Sequence, residues 1–330
     1  MKTDIVSAGT GGEAVRRAVE LLRGGEAVAL PTETVYGLAA DALREEAVLK
    51  IFRAKSRPQF DPLIVHLPDP EAIGRVAIID KAVMSLFERL GKEFWPGPLT
   101  FVFPRRAAIS DLVTAGLNTV AVRLSSHPVF SEIIRTFGGP LAAPSANQFG
   151  RISPTTAAHV REELDGLVPL IVDAGPTTHG LESTIIALRN GRIEILRRGP
   201  VAEEQLAEFG EIAVIEPSSH PEAPGQLASH YAPRTPLVLV DEAATFICPA
   251  GKRCGLLAWN RPEPDEFAEV RRLSKRQDVA EAATNLFRYL RELDGQSLHL
   301  IVAEKVPDQG LGAAINDRLR RASKPQIAAP

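Results

Sequence analysis

Apolar and polar residues alternate along this chain in two periods, one typical of helices and one typical of strands. Residues 13–25 (EAVRRAVELLRGG) have apolar side chains at helical spacing and end in a glycine pair. Residues 26–32 (EAVALPT) then read as a buried strand. Residues 45–58 (EEAVLKIFRAKSRP) return to helical spacing and stop at a proline, and PLIVHL at 62–67 is again a short buried strand. This order predicts alternating helices and strands.

The same alternation continues to about residue 215. Further strands are predicted in PLTFVF (98–103), NTVAVRL (118–124), PLAAPSA (140–146), LVPLIVDAG (167–175), ESTIIAL (182–188) and RIEILRRG (192–199). Helical stretches such as HPVFSEIIRTF (127–137) and SPTTAAHVREEL (153–164) separate several of them. We therefore predict that residues 1–215 form an α/β domain, an open mixed sheet with flanking helices.

The pattern changes at residues 216–235, which are rich in Pro, Ser and His and show neither period. We predict a linker there. After it the alternation restarts: PLVLVD and CGLLAW as strands, a helix from 278, the strand SLHLIVAEKV, and a closing helix from 310. In the first of these helices one face is apolar and Asp278 is placed as N-cap. Residues 236–330 are thus predicted to form a smaller α/β domain of doubly wound, Rossmann-like character.

Composition and charge narrow the class of protein. The hydrophobic fraction of 45% is that of a chain with a proper core, and no apolar stretch reaches the ~20 residues that cross a bilayer. No secretory signal begins the chain, and two cysteines so close together suggest reduced thiols, so we expect a cytoplasmic protein without membrane contact. The net charge of −3 gives no overall basic field for nucleic acid.

Polar groups recur beside the predicted strands of the first domain. PTETVYG follows the first strand, KSRPQFD precedes the second, PSAN follows PLAA, and RRG follows EIL. Strand ends that face the same way would gather these groups into one crevice, the usual ligand site of an open α/β sheet. Taken singly, each group also fits a structural role: Lys55 and Arg57 a solvated helix end, His66 a satisfied core histidine.

The collected side chains suit an anionic ligand. Lys55, Arg57, Arg123 and Arg197 are cations, and arginine grips a carboxylate or phosphate with a fork of N–H groups. Hydroxyls that can meet a phosphate oxygen or a substrate hydroxyl are Thr34, Thr119, Ser145, Ser153 and Ser183. No GxSxG, HExxH, CxxC, Walker or GxGxxG pattern is present, so we predict neither a serine triad nor a structural zinc site.

Seven of these segments, in order and spacing, resemble the YrdC-like domain of threonylcarbamoyl-AMP synthases. They are PTETVYGLAADA, KSRPQFDPLIVHL, FWPGPLTFVFPR, TVAVRL, PLAAPSANQFGRISPT, GLESTII and ILRRGP. APGQLASHYAPRTPL and the C-terminal segments resemble the linker and second domain of two-domain members. The resemblance implies a YrdC-like open twisted mixed sheet with flanking helices.

The resemblance also implies a reaction. L-threonine, bicarbonate or CO2, and ATP with Mg²⁺ would give L-threonylcarbamoyladenylate and pyrophosphate. The adenylate would pass to the machinery that builds threonylcarbamoyladenosine beside the anticodon of tRNA, with at most a weak contact between this chain and RNA. Mg²⁺ would be held mainly by the ATP phosphates, so no protein metal site is implied.

Site residues are implied one by one by the matching motifs. The threonine site would be formed by Thr34, His66, Arg123, Ala143 and Ser183. Catalysis would rest on Lys55 and Arg57, and ATP would contact Arg57, Asp61, Thr119, Ser145, Ser153, Arg197 and, from the linker, Tyr231. Asp61 stands where the family commonly has asparagine.

Two other functions stay open on the residues alone. A YrdC-like fold also serves in carbamoyltransferases that form a carbamoyl-adenylate, although their additional modules have no counterpart here. A crevice lined by Arg and Lys is also compatible with an RNA-binding module, but the basic side chains lie among hydroxyls and not among exposed aromatic residues.

Overall fold

The computed structural model describes residues 2–9, 12–215, 222–226, 230–260 and 267–324. The chain divides into two compact units. The first comprises Met1–Phe149, Pro154–Thr178 and Glu182–Leu227, and the second comprises Gly150–Ser153, His179–Leu181 and Ala228–Pro330. Part of the predicted linker, namely 216–221 and 227–229, lies outside the described residues. The domain boundaries at 215 and 235 therefore stay predictions.

The first unit is built on one large mixed sheet. Its strands in the described residues are β1 (Asp4–Ser7), β2 (Val28–Leu30), β3 (Gly37–Asp41), β4 (Ile64–His66), β5 (Leu99–Pro104), β6 (Thr119–Arg123), β7 (Leu141–Ala142), β8 (Leu170–Asp173), β9 (Thr184–Arg189), β10 (Arg192–Arg197) and β11 (Ile212–Val214). They are ordered β1-β8-β2-β3-β7-β4-β6-β5-β9-β10-β11. The sheet contains both parallel pairs, such as β4–β6, and antiparallel pairs, such as β5–β6, which confirms the predicted open mixed sheet.

Helices flank this sheet. They are α1 (Glu13–Arg23), α2 (Glu45–Lys55), α3 (Ile73–Val76), α4 (Lys81–Phe94), α5 (Asp111–Thr114), α6 (Pro128–Phe137), α7 (Ala157–Leu164) and α8 (Glu203–Ala207). Helix α2 ends where Ser56 turns left-handed, and the Thr156 hydroxyl caps α7 by accepting from the His159 N–H. Within the parts of the chain that are described, no helix combines the length and the apolar character needed to span a membrane.

The two-residue period of the strands divides the core between the faces of the sheet. Val28 and Leu30 of β2 pack with residues of α1 and α6, whereas Ala29 between them joins the larger cluster on the other face. Both faces of this part of the sheet are therefore buried, as the continuous apolar run of β2 predicted.

The other half of the sheet has one apolar face and one face of mixed character. Val65, Phe101 and Val122 point into the large cluster. Their neighbours Ile64, Val102, Ala121 and Ile185 form a smaller cluster on the opposite face. Side chains two residues apart in a strand lie on the same face. Each of four polar residues is two positions from a member of this smaller cluster and therefore lies on its face: His66, Thr100, Arg123 and Ser183. This face is where polar side chains replace core residues.

Four strands of the described residues were not predicted. Two of them, β1 and β11, lie at the two edges of the first sheet. The other two have sequences without a strand pattern. Strand β3, with the sequence GLAAD, has no β-branched or aromatic residue, and strand β14 (Glu269–Arg272) has the polar sequence EVRR. Both gain their structure from pairing: β3 lies between β2 and β7, and β14 extends the second sheet beside its neighbour.

The second unit is a small parallel α/β fold. Its sheet contains β12 (Leu237–Val240), β13 (Cys254–Ala258), β14 and β15 (Leu300–Glu304), in the order β12-β15-β13-β14 with every pair parallel. Helices α9 (Val279–Asp294) and α10 (Leu311–Ala322) belong to this unit. The Asp278 carboxylate accepts from the N–H groups of Ala280 and Glu281, so the predicted N-cap is confirmed. The predicted doubly wound character agrees with this all-parallel order.

Candidate active site

In the segment after β2, some polar side chains form hydrogen bonds that shape the loop, and others face the candidate site. The Thr32 hydroxyl donates to the Val35 carbonyl at 2.6 Å and accepts from the Thr34 N–H, which closes a tight turn. The Tyr36 hydroxyl donates to the Gly175 carbonyl at 2.7 Å, and its pKa is raised because the ring is buried. The turn leaves the side chains of Glu33 and Thr34 facing the guanidinium of Arg123.

Arg123, the last residue of β6, is the centre of a buried polar cluster. Its Nη1 donates to the Thr34 hydroxyl at 2.9 Å, its Nη2 to the Glu33 carboxylate at 2.7 Å, and its Nε to the Gly97 carbonyl at 3.2 Å. Only 3% of Arg123 is exposed. Gly97 belongs to the corner after α4, where the Trp95 indole donates to the Leu99 carbonyl at 2.7 Å. The corner is thus structural and also places an acceptor for Arg123.

His66 lies beside Arg123, because the two residues are paired across β4 and β6. The ring packs against Phe130 with 4.8 Å between ring centroids. Burial, and then the charge of Arg123, lower the pKa of His66 to about 3, so the imidazole is neutral at physiological pH. Among the residues the structure describes, no partner meets its buried Nδ1. A buried ring nitrogen of this kind is available to a ligand.

Glu33 is the residue of this cluster that the sequence reasoning did not single out. Its second carboxylate oxygen accepts from the Ser125 hydroxyl. Burial by itself would raise the pKa of Glu33, but the charge of Arg123 and the hydrogen bonds from Ser125 and Arg123 outweigh burial and lower the pKa to about 2. The available signal was a carboxylate inside the quoted motif PTETVYG, directly after a buried strand.

Ser183 joins this cluster to the next pair of strands. Its hydroxyl lies 2.8 Å from that of Thr100, which is paired with Arg123 across β5 and β6. Arg197 at the end of β10 donates to the Ser183 hydroxyl and to the Ser183 carbonyl, both at 3.0 Å. A hydrogen-bonded path, Arg197–Ser183–Thr100, thus crosses the strands beside Arg123.

Gly199 explains why this path can form. A Cβ atom there would lie 2.4 Å from the Thr184 nitrogen and 2.5 Å from the Glu182 carbonyl oxygen. Only a residue without a side chain allows the segment after β10 to approach the segment before β9 so closely. The motif RRGP therefore brings Arg197 onto Ser183.

A second cationic cluster surrounds Asp61. The Arg57 guanidinium donates to the carbonyls of Asp61 and Pro62 and lies 2.7 Å from the Asp61 carboxylate. The Lys55 ammonium donates to the carbonyls of Ser145 and Asn147. Burial raises the pKa of Asp61, although the positive charges of Arg57, Lys55 and Arg197 act in the opposite direction. The pKa of Lys55 is held well below its usual value, first by burial and then by the charge of Arg57.

The remaining predicted residues of the first unit lie around these clusters. The Ala143 N–H donates to the Ile64 carbonyl at 2.9 Å, next to the strand that carries His66. Ser145 is half-buried and accepts from Lys55. Thr119 begins β6, so it lies on the same face as Arg123 but about 13 Å away at the usual rise per residue. Candidate contacts therefore extend along the face, as an elongated ligand requires.

Two predicted ATP contacts belong to the second unit. Ser153 is buried there. Tyr231 is 1% exposed, with its ring stacked on Phe287 at 5.7 Å and the Arg318 guanidinium 5.0 Å from the ring centroid. Tyr231 also has a positive φ of 64°. The contacts of the ring with Phe287 and Arg318 both lie within the second unit.

An open mixed sheet with buried cations and hydroxyls on one face defines a small-molecule site of the kind that binds carboxylate and phosphate groups. Two family models together match residues 20–199 and 201–324 of the chain. Residues 20–199 match the Sua5, YciO and YrdC model described as "Telomere recombination", and residues 201–324 match "Threonylcarbamoyl-AMP synthase, C-terminal domain".

Individual relatives agree. The chain is 38% identical to the threonylcarbamoyl-AMP synthase of Pyrococcus abyssi, over 86% of each chain, and 39% identical to that of Bacillus subtilis, over 86% of this chain and 85% of the other. The crystal structure of P. abyssi Sua5 complexed with L-threonine is 37% identical, covers 98% of both chains and has a TM-score of 0.90. The chain belongs to the threonylcarbamoyl-AMP synthase family, so the resemblance of its motifs is confirmed.

Proposed function

We propose that this protein makes L-threonylcarbamoyladenylate and pyrophosphate from L-threonine, bicarbonate or CO2, and ATP. In this role it is a nucleotidyltransferase and performs the first step of threonylcarbamoyladenosine formation beside the tRNA anticodon. The observation that supports it most is the set of buried, hydrogen-bonded cations: Arg123 is paired with His66 across β4 and β6, Lys55 and Arg57 surround Asp61, and Arg197 is hydrogen-bonded to Ser183.

The Arg123 cluster suits an amino acid that carries a hydroxyl. The guanidinium would bind the α-carboxylate, as arginine does in bidentate contacts. The neutral imidazole of His66 and the hydroxyls of Thr34 and Ser183 would meet the amine and the side-chain hydroxyl. Ala143 would close the pocket beside β4 through its backbone and small side chain. An amino acid that lacks a matching polar group would leave these buried groups without a hydrogen bond, and this penalty makes the pocket selective.

The second cluster suits a triphosphate. Lys55, Arg57 and Arg197 would neutralise phosphate charge, and Thr119 and Ser145 would donate hydroxyls along the face. In the reaction the unprotonated amine captures CO2, and an oxygen of the carbamate then attacks the α-phosphorus while pyrophosphate leaves. Positioning and charge stabilisation carry such a transfer, which requires no covalent nucleophile from the protein.

Mg²⁺ would bind with the nucleotide. The described residues contain no cluster of three or more His, Cys, Asp or Glu side chains. Asp61 fits a supporting role: its carboxylate is fully buried, and neither oxygen makes a hydrogen bond of normal geometry with a described residue. A hard oxygen of this kind is a suitable single ligand for a cation held otherwise by phosphates and water, where the cation would neutralise phosphate charge.

The linker would act as a lid over the reaction. A carbamate is fragile in water, so the site should close during turnover. Nearly all the predicted site residues are buried, so substrates need an opening motion to enter. Tyr231 would leave its packing on Phe287 when it contacts the nucleotide. Ser153 would contact the same nucleotide. Deletion of residues 217–330 should then greatly reduce adenylate formation, and full activity of the truncated chain would rule out the lid.

The function is tested by a direct assay. The chain is incubated with ATP, Mg²⁺, bicarbonate and labelled L-threonine, and the products are separated by chromatography. We expect a labelled adenylate and pyrophosphate release that depends on both threonine and bicarbonate. Arg123→Ala should abolish the product, whereas Asp4→Asn, a change at an exposed Arg17 pair in the same unit, should leave it unchanged.

The same assay separates the alternatives. A carbamoyltransferase that forms carbamoyl-adenylate would release pyrophosphate only when a carbamoyl donor is added, whether or not threonine is present, and an RNA-binding module would release none. If the proposal holds, the product would be passed in the cytoplasm to the tRNA-modifying transfer machinery, and adding that machinery with tRNA should yield modified nucleoside.

A further inference from the structure

The Glu33 carboxylate is fixed by the protein at several points. One oxygen accepts from Arg123 Nη2 at 2.7 Å, and the other accepts from the Ser125 hydroxyl. The Glu33 backbone carbonyl accepts from the Thr178 hydroxyl at 3.2 Å. The side chain is only 5% exposed, and it follows the turn that Thr32 closes. Both carboxylate oxygens and the backbone carbonyl of Glu33 are therefore held by hydrogen bonds within the protein.

These contacts also account for the donors of Arg123. A guanidinium has five N–H groups, and the described hydrogen bonds use three of them, to Gly97, Thr34 and Glu33. One N–H remains on each terminal nitrogen. Two remaining donors match the two oxygens of a carboxylate, provided that the guanidinium plane stays fixed.

We propose that Glu33 is a positioning residue, which fixes the Arg123 guanidinium so that its two remaining N–H groups receive the α-carboxylate of the amino-acid substrate. This inference rests on the proposed function. It adds to that function a residue that acts through Arg123 and does not itself touch the reacting atoms.

Two other roles for Glu33 agree less well with the structure. A carboxylate that merely occupies the place of the substrate carboxylate would need to leave, but Ser125 holds the second oxygen and the Thr32 turn holds the backbone. A general base would need a pKa near the working pH, whereas the carboxylate of Glu33 stays ionised down to about pH 2. Positioning through Arg123 is the role that uses every observed contact.

The test compares Glu33→Gln with the wild-type chain. Glutamine keeps the size of the side chain but loses the charge that orients Arg123. We expect the KM for L-threonine and the Kd from calorimetry to rise at least about tenfold, the size of one charge-assisted hydrogen bond. The KM for ATP should stay within about twofold, and kcat at saturating threonine within about threefold. A purely structural role would instead alter both KM values and kcat together.

Two further variants keep the result interpretable. Ser125→Ala preserves the ion pair and removes the second contact of Glu33, together with a 3.3 Å acceptor of the His127 N–H. It should weaken threonine binding in the same direction by about threefold. Asp4→Asn makes the same carboxylate-to-amide change at the exposed 2.7 Å pair with Arg17, and should change neither KM.

Each outcome decides a specific point. Threonine affinity that is unchanged or tighter in Glu33→Gln, or equal losses for threonine and ATP, would overturn the positioning role while the wild-type activity stands. A wild-type chain that neither binds L-threonine nor forms the adenylate would overturn the proposed function, and this inference with it.

Discussion

The neutral state of His66 makes a quantitative prediction about the stability of the first unit. The imidazole is buried, and its pKa is lowered from 6.5 to about 3, chiefly by burial and then by the charge of Arg123. The unfolded chain therefore binds a proton at His66 below pH 6.5 that the folded chain does not bind. The free energy of unfolding falls as the pH falls from 6.5 towards 3, and it is unaffected by His66 well above pH 6.5.

The magnitude follows from the unfolded pKa. At pH 5 an unfolded imidazole lies 1.5 pH units below its pKa of 6.5. Each unit corresponds to about 1.4 kcal/mol, so lowering the pH from 7 to 5 should cost the first unit about 2 kcal/mol through His66. Glu33 contributes little in this window, because its pKa of about 2 and its unfolded value of 4.5 both lie below pH 5. Its own contribution is lost only between about pH 4.5 and 2.

The assay is urea unfolding followed by tryptophan fluorescence. The chain has two tryptophans, and Trp259 lies in the second unit, so a Trp259→Phe background leaves Trp95 as the reporter of the first unit. We compare this background with the same chain carrying His66→Gln, at pH 7 and pH 5. The chain with His66 should lose about 2 kcal/mol more than the glutamine variant.

Equal losses in the two chains would refute the reasoning, because they would mean that His66 takes up its proton in the folded state as readily as in the unfolded one. His127, whose pKa is also lowered by burial, is present in both chains and cancels in the comparison. A variant unfolded at pH 7 would be replaced by His66→Asn under the same comparison.

Three further predictions concern single contacts. Gly199→Ala should lower the free energy of unfolding of the first unit, followed by Trp95 fluorescence, by about 2 kcal/mol. It should also lower adenylate formation, because the new Cβ atom would lie 2.4 Å from a backbone nitrogen. Unchanged activity would contradict the close approach. Glu304→Ala should lower the free energy of unfolding of the second unit by about 3 kcal/mol, measured on Trp259 in a Trp95→Phe background. It leaves the buried N–H groups of Ala243 and Trp259, and the N–H of Asn260, without their acceptor. Asp278→Ala should lower the free energy of unfolding of the second unit by about 1 kcal/mol and leave adenylate formation unchanged. An unchanged free energy of unfolding would show that the cap contributes no stability.

The amphipathic helices that the sequence analysis named and the apolar strands were confirmed, whereas α4 was not among the predicted helices. The helix from 278 has its cap and its apolar face in adjacent residues, and Leu286, Leu290 and Leu293 are all buried as the spacing predicts. Strand β3 was missed because alanines and a glycine have no local preference for a strand. Its pairing with β2 and β7 is a long-range contact, which a local pattern does not contain.

For the candidate site, too, some features could be predicted from the local sequence and others depend on long-range contacts. Arg123 and Arg197 could be selected as cations at strand ends, and the family motifs gave them roles. That Arg197 bonds Ser183, or that Thr100 lies between Ser183 and Arg123, follows only from the register of β5, β6 and β9. Glu33 was overlooked because an acidic residue in a loop usually meets water, and its partners Arg123 and Ser125 are distant from it in the chain.

By itself, the sequence determined the local order of helices and strands, the two-domain plan and the chemical character of the site, because spacing, caps and motifs are properties of neighbouring residues. Only the tertiary structure decided which cation meets which acceptor, that His66 is neutral, and that Tyr231 packs within the second unit. The physical reason is that burial and charge pairing depend on strand register and chain packing, so residues distant in the chain set the pKa and the orientation of one another.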